Sequence, residues 1–317
     1  MGLALSMNET IMAMESAFRD LAYGQAIMAP RTSISLPDNG WIGLMPAYLK
    51  GINSFSTKSV SIYPNNPSIH LPTTSAIIIL NDPATGQVLA IMDGTLITSY
   101  RTGALGGLAA KYLSRKDSRV VGILGAGAQA RTQLMALKQV RELSRVFIYD
   151  IVRDRSSKFA YEVGEELKLP IEVCQYSSEV VANSDIVVTV STSKTPIFDG
   201  AIVRPGTHLN AFGNFKPTER EIDTLTVKKS KIVVDLKEAA LSEAGDILIP
   251  IREGAITEND ILGHLGEIIT GSKIGRTTNE EITLFKSVGL GIQDCAAASL
   301  AYRKALEKGL GTQVSIY

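Results

Sequence analysis

The sequence contains little cysteine and little histidine. Its 317 residues include two cysteines, Cys174 and Cys295, and three histidines, His70, His208 and His264. The cysteines are too few and too far apart to indicate a disulfide framework, so we expect a reducing, cytoplasmic environment. No histidine is closely spaced with another histidine or with a cysteine, which argues against a zinc site. We therefore expect no bound metal.

The sequence also lacks an excess of charge of one sign and a long hydrophobic run. Thirty-two Lys and Arg residues balance 32 Asp and Glu residues. A surface for nucleic acid or for an anionic membrane therefore has no electrostatic basis, and we expect a small-molecule partner. The longest purely aliphatic run, from Ala76 to Leu80, is far shorter than the roughly 20 residues of a membrane-spanning helix. We expect neither a membrane span nor a secretory signal.

The length suits two domains of about 100–200 residues each, and the first part of the chain is rich in strands. Apolar residues at three- and four-residue steps predict a helix over Asn8–Tyr23. Turn-forming residues separate the strand candidates that follow. These candidates are Ser33–Leu36, Trp41–Met45, Lys58–Tyr63, Ser75–Asn81 and Val88–Met92. They predict an antiparallel or mixed sheet, and the segment Ile97–Leu113 that follows reads as a helix whose glycines allow close packing.

After residue 117 the pattern changes to alternating strands and helices. A buried strand is predicted at Arg119–Leu124, a helix at Gln129–Val140 and a second strand at Arg145–Tyr149. Such alternation indicates an α/β domain with a parallel sheet and helices on both faces. A long last helix is predicted over Phe285–Gly309, crossing back to the first domain.

A glycine-rich turn lies directly between the first strand and the first helix of this α/β region. The turn has the pattern G-x-G-x-x-A, in which glycines permit a tight turn and the helix N-terminus offers free N–H groups to a pyrophosphate. The next strand ends at Asp150, about 20 residues on, where a carboxylate would hold the adenosine ribose. The predicted cofactor-binding residues of this Rossmann site are Gly125, Ala126, Gly127, Gln129, Ala130 and Asp150.

Asp150 also bears on the choice of cofactor. A carboxylate at this position repels a 2′-phosphate and favours NAD(H) over NADP(H). Arg153 follows closely and either contacts a 2′-phosphate or is a solvated residue at a helix start. We expect a preference for NAD(H), with NADP(H) possible.

Several motifs in the same order resemble those of the ornithine cyclodeaminase/μ-crystallin family, which includes archaeal-type alanine dehydrogenases and cyclic ketimine reductases. The resemblance covers nearly the whole chain. It implies that a Rossmann domain, residues 118–285, is inserted into a second domain made of residues 1–117 and 286–317. This second domain would bind the substrate and join two copies of the chain into a homodimer. The matching residues are Met45–Tyr48, Thr57-Lys58, Ala90–Gly94, Arg101–Ala104, the glycine turn, Arg220–Asp223, Ala244–Asp246 and Phe285–Gly289.

The resemblance also implies roles for three cationic residues. Arg31 and Arg101 would hold a substrate carboxylate with their guanidinium groups, and Lys58 would bind substrate and act as the catalytic proton donor. The alternative for each of the three is a solvent-exposed charge on the protein surface with no role in substrate binding. Thr102 either contacts a cofactor phosphate or caps a helix N-terminus.

Two positions depart from the cyclodeaminase pattern. Cyclodeaminases have a Glu two residues before Met-Pro and an Asp after the Gly that ends a later strand, whereas this sequence has Gly43 and Asn214. Asn214 either binds an amine of the substrate or forms a turn with Gly213. The departures favour an NAD(H)-dependent oxidoreductase that moves hydride to or from the α-carbon of a small amino, imino or 2-oxo acid. The alternatives are a cyclodeaminase and a binding protein without turnover.

Overall fold

The computed structural model describes residues 4–315, and none of its helices there is long and apolar enough to span a bilayer. Ten α-helices and fourteen strands are present within this range. In chain order they are α1 (Met7–Ala22), β1 (Ala26–Met28), β2 (Thr32–Ser35), β3 (Trp41–Leu49), β4 (Ser54–Ile62), β5 (Thr74–Asn81), β6 (Val88–Asp93), α2 (Gly94–Leu113), β7 (Val120–Leu124), α3 (Ala128–Val140), β8 (Arg145–Tyr149), α4 (Arg153–Leu167), β9 (Ile171–Val173), α5 (Ser177–Ala182), β10 (Ile186–Thr189), β11 (His208–Ala211), α6 (Thr224–Lys229), β12 (Ser230–Val234), α7 (Lys237–Glu243), α8 (Gly245–Arg252), β13 (Ile261–His264), α9 (Leu265–Thr270), β14 (Ile282–Lys286) and α10 (Gly291–Glu307).

The chain forms two compact units. The first combines the N-terminal segment up to Arg101 with the C-terminal segment from Leu290, and the second runs from Thr102 to Gly289. One division thus falls inside helix α2, whereas the sequence suggests a boundary after that helix, at 117/118. The functional domain boundaries at 117/118 and 285/286 remain predictions.

The first unit is built on an antiparallel sheet in the order β1-β3-β4-β5-β6, with β2 also paired to β3. Side chains along β3 and β4 alternate between the two faces, and one face is covered by helix α10. We call the covered face the inner face. Helix α10 begins directly on it, because a Cβ at Gly291 would lie 3.1 Å from the Pro46 carbonyl oxygen. The predicted antiparallel arrangement of this region is therefore present.

The second unit is built on an eight-stranded parallel sheet in the order β13-β12-β14-β11-β10-β7-β8-β9. Most of its strands are rich in buried valine, isoleucine and leucine, as expected for strands covered by helices on both faces. Helix α2 packs closely on α3, since a Cβ at Gly103 would collide with the Thr132 backbone. The predicted α/β class and the predicted close packing of this glycine-containing helix agree with the structure.

The predicted last helix is wrong at its N-terminal end. Residues 282–286 form strand β14, which pairs with β11 and β12 in the middle of the parallel sheet. The chain then turns at Gly289, whose φ of 87° favours glycine, and α10 begins only at Gly291. Strand pairing on both sides outweighs the helical pattern of the local sequence, because it satisfies the backbone hydrogen bonds of a buried segment.

Candidate functional site

The glycine turn joins β7 to α3 at the carboxyl edge of the parallel sheet. Gly125 has φ of 105°, and a Cβ there would approach the backbone of Val190 to 2.9 Å. A Cβ at Gly127, by contrast, would meet no atom within 4 Å. Gly127 is the N-cap of α3 and provides no side chain to cap the helix. The first N–H groups of this 13-residue helix are therefore available to an anion such as a pyrophosphate.

Asp150 lies beside this turn, as its position after β8 predicts. Its Oδ2 accepts a hydrogen bond of 2.8 Å from the Ala126 N–H, and its Oδ1 accepts one of 2.9 Å from the Val152 N–H. Each carboxylate oxygen keeps a second lone pair that could accept from a ribose hydroxyl. The fit to a dinucleotide is good: an open helix N-terminus and a carboxylate acceptor lie on the same turn.

The other predicted cofactor residues occupy varied positions. Ala130 is fully buried against the strands of the sheet, as the third small residue of the motif requires, and Gln129 is half-buried in the first turn of α3. Thr102 lies inside α2, with its carbonyl accepting from the Gln133 side chain, so the helix-cap alternative is wrong. Arg153 is exposed at the start of α4. Their roles toward a cofactor remain predictions.

Three charged residues of the quoted motifs meet in a buried cluster of the second unit. The carboxylate of Glu221 accepts from Ser191, which follows β10, and from the Gly213 N–H, which follows β11. Asp246 accepts from the Glu221 N–H and lies 2.7 Å from the Lys286 Nζ. Burial and the neighbouring Asp246 raise the pKa of Glu221 to about 7, against the opposing effect of Lys286. The cluster ties together the carboxyl ends of three adjacent strands.

Asn214 follows that cluster, and its side chain is engaged by the protein. Its Nδ2 donates to the Ser193 carbonyl and to Glu219, each at 3.2 Å, and its Oδ1 accepts from the Lys216 N–H at 3.0 Å. Its own carbonyl accepts from Lys286. These contacts are those of a turn. These contacts account for Asn214 without a substrate, and binding of substrate by Asn214 remains a prediction.

In the first unit, two of the three predicted cations meet at one carboxylate, Lys58 from the inner face of the antiparallel sheet and Arg101 from helix α2. The Lys58 Nζ lies 2.6 Å from Oδ2 of Asp294, and the Arg101 Nε lies 3.0 Å from Oδ1 of the same carboxylate. Arg101 Nη1 also donates to the Gln293 Oε1. The side-chain exposure is 2% for Lys58, 7% for Arg101 and 0% for Asp294. Neither cation is a surface charge.

Burial and neighbouring charge together set the protonation of this group. Burial lowers the pKa of Lys58 to about 7, with Arg101 and Arg31 acting in the same direction and Asp294 opposing them. Burial by itself would raise the pKa of Asp294, but Arg101 and Lys58 outweigh it and hold that pKa below its usual range. The carboxylate is thus ionised, and the lysine exchanges its proton near neutral pH.

Arg31 is the third predicted cation and is half-buried. Its guanidinium carbon lies 5.9 Å from the centroid of the Trp41 ring, a cation–π distance. The Trp41 ring in turn occupies the space in which a side chain at position 43 would lie. Gly43 is therefore required by the packing of Trp41.

Asp294 and Gln293 are partners of Arg101 that the sequence did not predict. No acidic residue lies within a helical turn of Arg101 in the sequence, which favoured a substrate carboxylate as its partner, yet α10 supplies a protein carboxylate 193 residues away. The available signal was an acidic residue in the small, apolar start of α10.

Comparison with known proteins gives a consistent result. The model of the "Ornithine cyclodeaminase/mu-crystallin family" matches residues 1–309. Alanine dehydrogenase of Archaeoglobus fulgidus is 41% identical over 99% of this chain and 95% of that protein.

Two solved structures are also similar over nearly their full length. That of Thermococcus litoralis Delta(1)-pyrroline-2-carboxylate reductase in complex with NADH and L-proline has 48% identity, covers 98% of this chain and 97% of that one, and gives a TM-score of 0.96. That of an archaeal alanine dehydrogenase dimer with bound NAD has 40% identity, covers 99% of this chain and 96% of that one, and gives a TM-score of 0.94. The predicted fold class and the predicted resemblance are confirmed. The chain belongs to the ornithine cyclodeaminase/mu-crystallin family.

Proposed function

We propose that this protein is an NAD(H)-dependent oxidoreductase that interconverts a small amino acid and the corresponding imino acid. The reaction is of the alanine dehydrogenase or cyclic ketimine reductase type. The enzyme class and the cofactor are supported by the relatives, which are an alanine dehydrogenase and a pyrroline-2-carboxylate reductase in complex with NADH. When bound, the nicotinamide supplies or accepts hydride at its C4 atom.

The observation that carries the proposal is the charge balance on the inner face. Two buried cations, Lys58 and Arg101, share the single carboxylate of Asp294. With Lys58 protonated, one positive charge is left without a partner in a desolvated position, which is costly. A substrate carboxylate would supply the missing negative charge. Arg101 has Nη2 in addition to the two nitrogens that bind Asp294 and Gln293, and Arg31 adds a second guanidinium.

Lys58 is the residue we assign to proton transfer. A group with a pKa near the working pH is effective both as an acid and as a base, and the pKa of Lys58 is lowered to about 7. In the reductive direction its ammonium would protonate the imine nitrogen, or the developing alkoxide of a 2-oxo acid. In the oxidative direction the neutral amine would take the proton back.

For the cofactor, the glycine turn and Asp150 form the site that fits a dinucleotide. The open N-terminus of α3 would hold the pyrophosphate through backbone N–H groups, with the adenosine ribose on Asp150. A carboxylate at this position disfavours a 2′-phosphate, so NAD(H) is the proposed cofactor. Arg153, exposed at the start of α4, leaves NADP(H) as the alternative.

The cyclodeaminase alternative lacks the groups that it needs. Position 43 has no carboxylate, and the Trp41 ring fills the space that a glutamate there would require. At the second position, the amide of Asn214 is engaged in a turn and cannot serve as an acid or a base. We therefore place direct reduction or oxidation above ammonia-releasing cyclisation.

A homodimer is also part of the proposal. The face of the antiparallel sheet opposite α10, which we call the outer face, exposes a set of large apolar side chains. Contiguous apolar surface of this kind marks an interface, and an archaeal alanine dehydrogenase relative has been solved as a dimer. The exposed residues are Ile34, Leu44, Ile77, Leu89 and Ile91.

The proposed location is the cytoplasm, as expected from the two cysteines. Both are buried, and neither forms a disulfide bond.

A substrate panel tests the proposal. NADH oxidation would be followed by absorbance with Δ1-pyrroline-2-carboxylate and with pyruvate plus ammonium, and NAD⁺ reduction with L-proline and L-alanine. Turnover with either pair is the expected result. Ammonia release from L-ornithine without net NADH formation would support the cyclodeaminase instead. Tight NADH binding with no turnover on any substrate would support a binding protein.

A further inference from the structure

One carboxylate on the inner face contacts both of the buried cations assigned to substrate. Oδ2 of Asp294 lies 2.6 Å from the Lys58 Nζ, and Oδ1 lies 3.0 Å from the Arg101 Nε. We propose that Asp294 is a positioning residue for the reaction, which fixes the amine of Lys58 relative to the guanidinium of Arg101 and keeps the proton on Lys58. This inference rests on the proposed function, because it assigns to Asp294 an effect on the two groups that act there.

The position of Asp294 is itself tightly fixed. It lies in the first turn of α10, where the helix dipole favours a negative charge. Gly291 lets that turn approach the backbone of β3, and the Sγ of Cys295 lies 3.2 Å from the Ser54 carbonyl at the start of β4. Two neighbouring strands therefore hold the start of the helix, so the Asp294 carboxylate has a defined position over the inner face.

Asp294 also determines which nitrogens remain for a substrate. The Arg101 Nε is taken by Asp294 and Nη1 by Gln293, so the guanidinium is held from one side and Nη2 is the nitrogen that these contacts leave. The Lys58 ammonium has three N–H groups, and its Nζ lies at ion-pair distance from Asp294 on one side. A substrate carboxylate and an imine nitrogen need such donors at a fixed separation.

A contribution to stability alone does not account for this arrangement. Buried ion pairs give little net stability, since the desolvation of the charges offsets their attraction. Within the described residues, Asp294 is the one carboxylate at ion-pair distance from either cation, and it leaves the pair of cations undercompensated. An arrangement selected only for stability would balance the charges or replace them with apolar side chains.

The charged groups that face Lys58 are Asp294 from α10, Arg101 from α2 and Arg31 from the segment before β2. The two arginines and the burial of the amine all favour neutral Lys58, and Asp294 alone opposes them. An opposite charge at this distance changes a pKa by about 1–3 units. Without the Asp294 charge, Lys58 would lose its proton at a lower pH.

The test is the pH dependence of kcat/KM in Asp294→Asn, which keeps the shape of the side chain and removes its charge. In the reductive direction the active form carries the proton on Lys58, so kcat/KM falls as pH rises through the pKa of about 7. In the variant this falling limb is expected about 1–3 pH units lower. The rising limb of the oxidative direction shifts the same way. Asp20→Asn, at another buried carboxylate of the same unit, is the control and should leave both limbs in place.

Asp294→Glu is the second variant, used also if Asp294→Asn fails to fold. It keeps the charge and displaces the oxygens, so we expect the limb near its original pH and kcat at least about tenfold lower. A wild-type pH profile in Asp294→Asn, or undiminished kcat in Asp294→Glu, overturns the inference.

Turnover by the wild type and by Lys58→Ala distinguishes a failure of the proposed function from a failure of the inference about Asp294. If the wild type turns over none of the substrates in the panel, the proposed function fails and the inference fails with it. If Lys58→Ala keeps the activity and the pH limb of the wild type, the assignment of Lys58 to proton transfer is wrong and the inference about Asp294 fails, while the proposed oxidoreductase activity stands. If Lys58→Ala loses activity while Asp294→Asn keeps the wild-type limb, the proposed function stands and only the inference about Asp294 is overturned.

Discussion

The Nζ of Lys58 lies 2.6 Å from Oδ2 of Asp294, and neither side chain is more than 2% exposed. The lysine comes from the central part of an antiparallel sheet and the aspartate from a helix that begins some 230 residues later in the chain. Arg101 joins them through the other oxygen of the same carboxylate. This group of three charges is the feature of the first unit from which the expected chemistry follows.

Lys58→Ala should affect turnover more than substrate affinity. If the amine donates a proton in the transition state, its removal lowers kcat by roughly two to four orders of magnitude. Steady-state kinetics of NADH oxidation with the preferred substrate would measure the effect. Lys50→Ala, at an exposed lysine in the turn after β3, serves as the control. A Lys58→Ala enzyme that merely melts earlier, with normal kcat, would make Lys58 structural.

Arg101→Lys should show the opposite split between the kinetic constants. Lysine keeps the charge but loses the planar fork, so a carboxylate loses a hydrogen bond to a charged group, worth about 1.5–3 kcal/mol. We expect KM for the amino or imino acid to rise about ten- to hundredfold, with NADH affinity close to normal. Because Arg101 also binds Asp294 and Gln293, the melting temperature should be measured in parallel. An unchanged KM would remove Arg101 from the substrate site.

Asp150→Ser should change the cofactor preference. The substitution removes a charged acceptor beside the glycine turn and leaves the Ala126 N–H without its 2.8 Å partner. We expect NAD(H) binding to weaken about ten- to hundredfold and the use of NADP(H) to rise relative to NAD(H). Titration by protein fluorescence would measure both dissociation constants. Asp154→Ser, at an exposed carboxylate in the first turn of α4, is the matched control. A wild-type enzyme that already prefers NADP(H) would contradict the assignment and favour Arg153.

Binding of a carboxylate should be accompanied by proton uptake near neutral pH. An anion beside Lys58 favours its charged form and raises its pKa from about 7. About one pH unit above that value, the free protein holds little of this proton and the complex holds most of it, so up to about one proton is taken up per site. Calorimetry with pyrrole-2-carboxylate in buffers of different ionisation enthalpy measures this uptake. Lys58→Ala should show none, and equal heats in all buffers for the wild type would contradict the site.

The quaternary structure should be a dimer formed through the outer face of the antiparallel sheet. Sedimentation is expected to give about twice the chain mass of 34.0 kDa at micromolar concentration. Ile91→Glu places a charge on this face, where Ile91 is 62% exposed, and should produce monomers. Ile274→Glu, at an isoleucine of the other unit that is 70% exposed, should not. A wild-type species of single-chain mass would refute the dimer, and a dimer that persists in Ile91→Glu would place the interface elsewhere.

The sequence by itself determined the parts that depend on local patterns. Buried strands followed by amphipathic helices specify a parallel sheet. The glycine turn could be located to the residue, because its backbone has a positive φ and lies so close to a neighbouring strand that only glycine fits. Asp150 could be predicted beside the turn, since its distance along the chain is set by one helix and one strand. Family motifs identified Lys58 and Arg101 as candidates, although not their partners.

Only the tertiary structure decided how the charges are paired. Asp294 meets Arg101 across 193 residues, and nothing in the spacing of either segment specifies that contact. Strand β14 was hidden for a related reason: its pairing with β11 and β12 determines its conformation, and both partners are distant in sequence. Local propensity is a weak preference that burial and strand pairing override. The protonation of Lys58 likewise follows from desolvation and from three charges brought together by folding, none of which is a property of the lysine's neighbours in sequence.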